Sequence, residues 1–305
     1  MNAVIALMAQ LVHLALVAVA APAVASGLVW LDARLAGRTG PPLMQPVREL
    51  IRLSRKIPAV PENTSPVFVL GPSVGLAAII AAAALVPSFS LGMALSPLAD
   101  GLVVVSLLTI ARIAACLTAL DIGTAASGRA AEARTALAIL AEPGLLLVVF
   151  ALALMGGGFN LDQIIGQQRD GLLLPASASA VALACLLTLA FVDASAALPD
   201  LAAECSGIDL ALSRAAGWLR TVVWINLLGA LFLPIGMAGP FAGPLGWLLA
   251  ILAWALKLAA ATLGLALART FLGRPGRQGL SNLLGITALI ALLATLIALS
   301  GVGSA

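Results

Sequence analysis

Six titratable side chains interrupt stretches that are otherwise apolar, and through them this chain could do chemistry. Arg112 and Lys257 stand about nine and ten residues inside long apolar runs, which at 1.5 Å per residue puts both roughly 13–15 Å deep. A base at that depth in hydrocarbon costs about 2.5–3.5 kcal/mol unless it is paired or wetted. Glu142 lies inside a third run, while Asp121 and Asp193 mark the ends of others, so these carboxylates are the candidate counter-charges. Acids and bases that share a low-dielectric site shift one another's protonation strongly, which is the chemistry of a proton relay. The same groups would also serve as a structural ion pair that locks helix packing. His13, within the first run, fits a neutral imidazole bonded to a neighbouring helix.

The elements that must position these groups are membrane-spanning helices. Of the 305 residues 62% are hydrophobic and 10% charged, whereas a soluble domain carries about 25% charged residues. That excludes a water-soluble globular protein, a disordered chain and a coiled coil. At about 20 residues per span plus loops, the length allows roughly seven to nine helices. The apolar runs predict eight, over residues 4–30, 67–86, 101–120, 137–155, 172–192, 221–237, 245–267 and 280–299. The expected fold is all-α: a polytopic single transmembrane domain over residues 1–305. The first run is too long for a signal-peptide core and lacks a basic start. No inverted repeat relates the two halves.

Eight spans place both termini on one side, and charge fixes which. Arg34, Arg38, Arg48, Arg52, Arg55 and Lys56 fall in loop 31–66, Arg129 and Arg134 in 121–136, Arg214 and Arg220 in 193–220, and Arg269, Arg274 and Arg277 in 268–279. The loops between them (88–100, 156–171 and 238–244) hold only Arg169. The positive-inside rule therefore puts the four basic loops in the cytoplasm and both termini outside.

Two of those loops carry further information. In the first, Val47, Leu50, Ile51 and Leu53 alternate with Arg48, Arg52, Arg55 and Lys56, an amphipathic helix with one basic face suited to the membrane surface. It would anchor to lipid headgroups or offer a docking surface to a peripheral partner. The third, 193–220, is the most acidic segment, with Asp193, Asp200, Glu204 and Asp209. It reads as a solvated mixed-charge helix, a contact to a partner subunit, or the mouth of a proton path.

Cys116, Cys185 and Cys205 are not closely spaced, which argues against a disulfide framework or thiolate metal site. A single histidine excludes multi-histidine haem or zinc sites. There is no phosphate loop, CxxC or HExxH. No catalytic residue, metal or cofactor is expected, and no nucleic-acid partner; any redox role is borrowed from partner subunits.

The first loop resembles the signature of subunit 1 of respiratory complex I, the membrane heel of NADH–quinone oxidoreductase, and more closely its relatives in formate hydrogenlyase and other group 4 membrane-bound hydrogenases. Arg34, Arg38, Gly40, Pro41, Gln45, Pro46 and Leu53 carry the likeness, followed by Pro61, Phe68 and Pro72. Further similarities are Ala111-Arg112, the run from Leu120 through Asp121 to Thr124, Glu142-Pro143, the run from Leu198 through Asp200 to Glu204, and Leu256-Lys257-Leu258.

The resemblance implies a non-catalytic subunit in the bacterial inner membrane. It would join a peripheral hydrogenase- or dehydrogenase-like arm to antiporter-like membrane subunits. Arg34, Arg38, Gln45, Arg48, Arg52, Asp200 and Glu204 would contact the arm. Arg112, Asp121, Glu142, Lys257 and Asp193 would relay protonation changes toward the pumps. Some family positions differ. Glu132-Ala133-Arg134 replaces an adjacent arginine–glutamate pair, the basic residue and phenylalanine around Leu198-Pro199-Asp200 are gone, and Arg269 stands where an acid is expected. Two other readings stay open, a stand-alone secondary transporter and a family-derived scaffold that has lost proton coupling.

Overall fold

The computed structural model describes residues 2–169, 176–193, 200–239, 242–271 and 276–302. Among the described residues ten α-helices follow one another: α1 (Asn2–Leu35), α2 (Gln45–Ser54), α3 (Pro66–Leu85), α4 (Gly101–Asp121), α5 (Ala125–Gly156), α6 (Leu161–Arg169), α7 (Ala176–Asp193), α8 (Gly207–Phe232), α9 (Pro244–Phe271) and α10 (Arg277–Val302). Among the described residues the only β pairings are two isolated bridges.

Seven helices are long and apolar enough to cross a membrane: α1, α3, α4, α5, α8, α9 and α10. The expected fifth span coincides with α7, whose described apolar stretch, Ala182–Asp193, is shorter than the others. The fold is thus an all-helical polytopic membrane protein, with seven qualifying spans among the described residues where eight were expected.

Helices run beyond the apolar segments that announce them. Thr124 accepts the Ser127 N–H through its side chain and starts α5 at Ala125, twelve residues before the expected span. Residues 125–136 are rich in alanine, a strong helix former. At 32 residues α5 is about 48 Å long, well over the ~30 Å hydrocarbon core. Likewise α8 starts at Gly207. Arg134 and Arg220 therefore sit on helix walls. The connection that follows α5 also contains a helix, α6, in which Leu161, Ile164 and Ile165 are buried.

Small residues set the helix spacing. A Cβ on Gly71 of α3 would come within 1.9 Å of the Thr118 hydroxyl on α4, so only glycine allows this approach. At the end away from the basic loops, His13 is fully buried, with Nδ1 2.7 Å from Ser88 Oγ and Nε2 2.8 Å from the Ala83 carbonyl oxygen. A carbonyl only accepts, so Nε2 carries the hydrogen and the Ser88 hydroxyl donates to Nδ1. The same end is knitted by Asp162, whose carboxylate takes the Gly92 N–H at 2.7 Å and the Ser96 hydroxyl at 2.5 Å.

Candidate functional site

Four helices converge to form a polar centre near the basic end. Arg112 of α4 places Nη2 3.8 Å from Glu142 Oε1 of α5 and 3.5 Å from the Thr109 hydroxyl. Glu142 precedes Pro143 inside α5; the missing proline N–H leaves the Ile139 carbonyl without its usual helical donor. Across the bundle, Asp193 ends α7 and its Oδ2 is 2.9 Å from Arg220 Nε of α8. The same oxygen accepts the Trp224 indole N–H at 3.0 Å. Arg220 and Trp224 are one turn apart, so a single face of α8 supplies both donors.

Two adjoining cavities join these pairs. One, of about 50 Å³, is lined by Arg112, Arg134, Asp193, Arg220 and Trp224. The other, of about 120 Å³, shares Arg134 and Arg220 and reaches Asp200 and Ser213. A water needs roughly 10–15 Å³ of such space and two or more polar partners, so both have room for water. Asp200 is exposed, which gives this polar centre a mouth on the loop surface. Guanidinium groups do not give up protons in proteins. Proton transfer here would therefore use Glu142, Asp193 and water, with Arg112, Arg134 and Arg220 setting the potential.

The structure puts two of the five relay candidates, Arg112 and Asp193, on the wall of the smaller cavity, and a third, Glu142, beside Arg112 without lining either cavity. It does not gather the other two. Asp121 Oδ2 accepts the backbone N–H groups of Ser65 at 2.8 Å and Phe68 at 3.1 Å, which caps the start of α3. Lys257 lines neither cavity; its ammonium donates to the Leu233 carbonyl just past α8. Arg134, Arg220 and Trp224 complete the centre and were missed as site residues, the two arginines having been read as loop charges. Their signal was helical spacing: Arg134 lies two turns before Glu142, and Arg220 one turn before Trp224.

The first three loops of the basic end interlock. Arg214 of α8 is 2.5 Å from Glu49 of α2, which also lies 3.8 Å from Arg52. Ser206 accepts the Ala59 N–H at 2.7 Å. Gly207, at φ +55°, brings its backbone so close that a Cβ would be 2.6 Å from the Lys56 carbonyl oxygen. The Thr124 hydroxyl donates to Glu204 at 2.6 Å. Leu53 is the buried residue of α2, while Arg48, Ile51 and Arg52 stay exposed. Arg34 lies over the Trp30 ring at 5.2 Å, a cation–π contact. Arg34, Arg38, Gln45, Asp200 and Glu204 are all exposed. Leu198 and Pro199 lie outside the described residues. Arg269 is 3.5 Å from Asp32 of α1, so the base standing in an acid's place has its own carboxylate. Cys205, buried among Asp209, Asp200 and Glu204, has its thiol pushed up to about 11, chiefly by burial. Among the described residues no group of three His, Cys, Asp or Glu side chains could hold a metal ion.

Comparison with known proteins agrees with this architecture. The profile of the family described as NADH dehydrogenase matches residues 7–300. Hydrogenase-4 component C of Escherichia coli (strain K12) is 30% identical over 220 residues, covering 68% of this chain and 69% of that protein. Formate hydrogenlyase subunit 4 of the same organism is 27% identical over 253 residues, covering 79% and 82%. A chain of the membrane-bound sulfane sulfur reductase, an archaeal respiratory membrane complex, shares the fold with a TM-score of 0.78 at 19% identity, over 95% of this chain and 98% of that one.

Proposed function

The chain belongs to the NADH dehydrogenase family, and from that premise we propose that it docks a peripheral hydrogenase- or dehydrogenase-like arm onto antiporter-like membrane subunits. It is a complex I-like membrane subunit and has several membrane-crossing helices. In this reading it sits in the bacterial inner membrane with both termini on the periplasmic side. The arm rests on the exposed row of Arg34, Arg38, Gln45, Arg48, Arg52, Asp200 and Glu204.

One observation carries the docking reading. Glu49–Arg214, Ala59–Ser206 and Thr124–Glu204 bind three separate loops into one surface, so its exposed charges are held in fixed register. A preorganised charged face steers and orients a partner at little entropic cost. Purification from native membranes in mild detergent tests it. Co-migration of arm and antiporter-like subunits supports the reading; an isolated homo-oligomer that transports a solute contradicts it.

The same subunit would pass protonation changes sideways from Glu142 through its partner Arg112 and the water-sized cavity to Asp193. A second reading, the scaffold that has lost coupling, is favoured by a specific observation: Asp121 and Lys257 are engaged with backbone groups and lie outside the polar centre. Only Glu142 and Asp193 then remain as titratable members of the interior path.

A further inference from the structure

Among the described residues the bundle is open on one side. Helix α9 packs on α1 and α8 and makes no comparable contact with α7 or α10 among the described residues. Between α7, α8, α9 and α10 lies a cleft of about 510 Å³, far larger than either polar cavity and within the range of ligand pockets. Its walls are almost wholly apolar: Leu187 and Phe191 of α7, Ile225 and Leu228 of α8, Leu265 of α9 and Leu283 of α10. A Cβ built on Gly264, which also lines it, meets nothing within 4 Å.

The cleft has direction. It runs along α7 from Leu187 to Asp193, along α8 from Leu228 to Thr221, and along α9 from Ala261 to Ala268. Six or seven residues at 1.5 Å each make it about 10 Å long, shorter than the ~15 Å of one leaflet's hydrocarbon. Asp193, Thr221 and Trp224 lie toward the basic end, and the deeper wall is apolar except for Thr188, whose hydroxyl donates to the Ala184 carbonyl of its own helix at 2.8 Å. Arg220 and Arg269 directly follow the lining on α8 and α9 at that end; each already has a carboxylate, Asp193 and Asp32, so a phosphate at this charged rim would share them rather than meet a free cation.

We propose that one acyl chain of a phospholipid, from the leaflet at the basic end, occupies this cleft and forms the outer wall of the polar centre. An unfilled apolar void of this size forfeits dispersion contacts along its whole lining. Water gains too few polar partners there to replace them. Acyl chains are the medium in which α9 and α10 already stand. Asp193 and Trp224 line both this cleft and the polar cavity beside it. The chain therefore keeps water off the far side of the Asp193–Arg220 pair and holds that pair in low dielectric, where it is stronger. Occupancy rests on the membrane fold alone; its value as a seal rests on the relay reading above.

Trp224 reports on the cleft directly. The assembled complex is reconstituted into vesicles of phosphatidylcholine with dibrominated or unbrominated chains, and Trp224 emission is taken as the difference between the native protein and Trp224→Phe. The proposal expects bromine to quench most of that emission, and Gly264→Leu, which fills the cleft, to restore it. If Gly264→Leu does not accumulate, Ala261→Leu fills the same space. Equal emission in both vesicle types overturns the proposal, as does quenching that a filled cleft leaves unchanged. Quenching of the isolated chain but not of the complex also overturns it, because a partner's helix then occupies the cleft. These outcomes do not depend on whether protons move, so the relay reading can fail while this one stands.

Discussion

Asp193 uses one carboxylate oxygen to hold two side chains of α8, the Arg220 guanidinium at 2.9 Å and the Trp224 indole N–H at 3.0 Å. That oxygen ties the end of α7 to α8. It also separates a polar cavity from an apolar cleft. The pair is largely but not wholly buried, with side chains 11% and 25% exposed.

Arg220→Ala should therefore destabilise the protein by about 2 kcal/mol, below the ~3–5 kcal/mol seen when a fully buried pair is broken. Arg220→Lys keeps the charge and should recover part of the loss, limited by the missing guanidinium fork. Thermal unfolding of the detergent-purified complex measures both. Equal stability of native protein and Arg220→Ala would show that the pair holds nothing.

Glu142→Gln should cut ion translocation coupled to electron transfer while leaving electron transfer between soluble donor and acceptor intact. The substitution keeps shape and hydrogen bonding but removes the proton site and the charge facing Arg112. Translocation measured in inverted vesicles decides the matter: an undiminished rate shows that Glu142 takes no part in coupling, and no coupled translocation even in the native complex favours the uncoupled scaffold.

His13→Ala should lower stability by about 2–3 kcal/mol. It removes two hydrogen bonds and leaves the buried Ala83 carbonyl and Ser88 hydroxyl without that partner. His13→Gln can restore one of them and should fall between. Arm binding and translocation per folded molecule should not change, because His13 lies at the other end of the bundle from the interlocked loops.

Cys205 should resist alkylation near neutral pH and react progressively faster as pH climbs toward 11. Its thiol is pushed up to about 11 against an ordinary value near 8.5, so the thiolate fraction at neutral pH is far smaller. Iodoacetamide labelling read by peptide mass spectrometry gives the rate. Labelling of Cys205 in the folded protein as fast as in detergent-denatured chain would contradict the burial described here.

The sequence shows where hydrocarbon begins and ends, and it shows less of the helices themselves. Hydropathy marks the greasy part of α5 and α8, while both begin many residues earlier, α5 behind the Thr124 cap and α8 in a turn that carries Asp209. Arg134 and Arg220 therefore look like loop residues in the sequence and face the interior in the fold. The alternation of Val47, Leu50, Ile51 and Leu53 with arginines was enough to find α2. Charge matching put Glu142 among three candidate counter-charges, and the fold sets it 3.8 Å from Arg112. It could not anticipate that Lys257 would meet a backbone carbonyl or that Asp121 would cap α3, since backbone groups leave no mark in composition. Nor could it pair Arg269 with Asp32, which is 237 residues away in the chain.

The central claim is that the interlocked basic face receives an electron-carrying arm, and a cross-link tests it most directly. A photo-reactive group is attached through Arg48→Cys in otherwise native membranes and activated before solubilisation. Arg48 is exposed on α2, next to the Glu49–Arg214 contact that fixes the helix. The account predicts a covalent adduct with a hydrogenase- or dehydrogenase-like peripheral subunit, identified by mass spectrometry. Adducts with lipid alone, in membranes where the peripheral subunits are present, would contradict it.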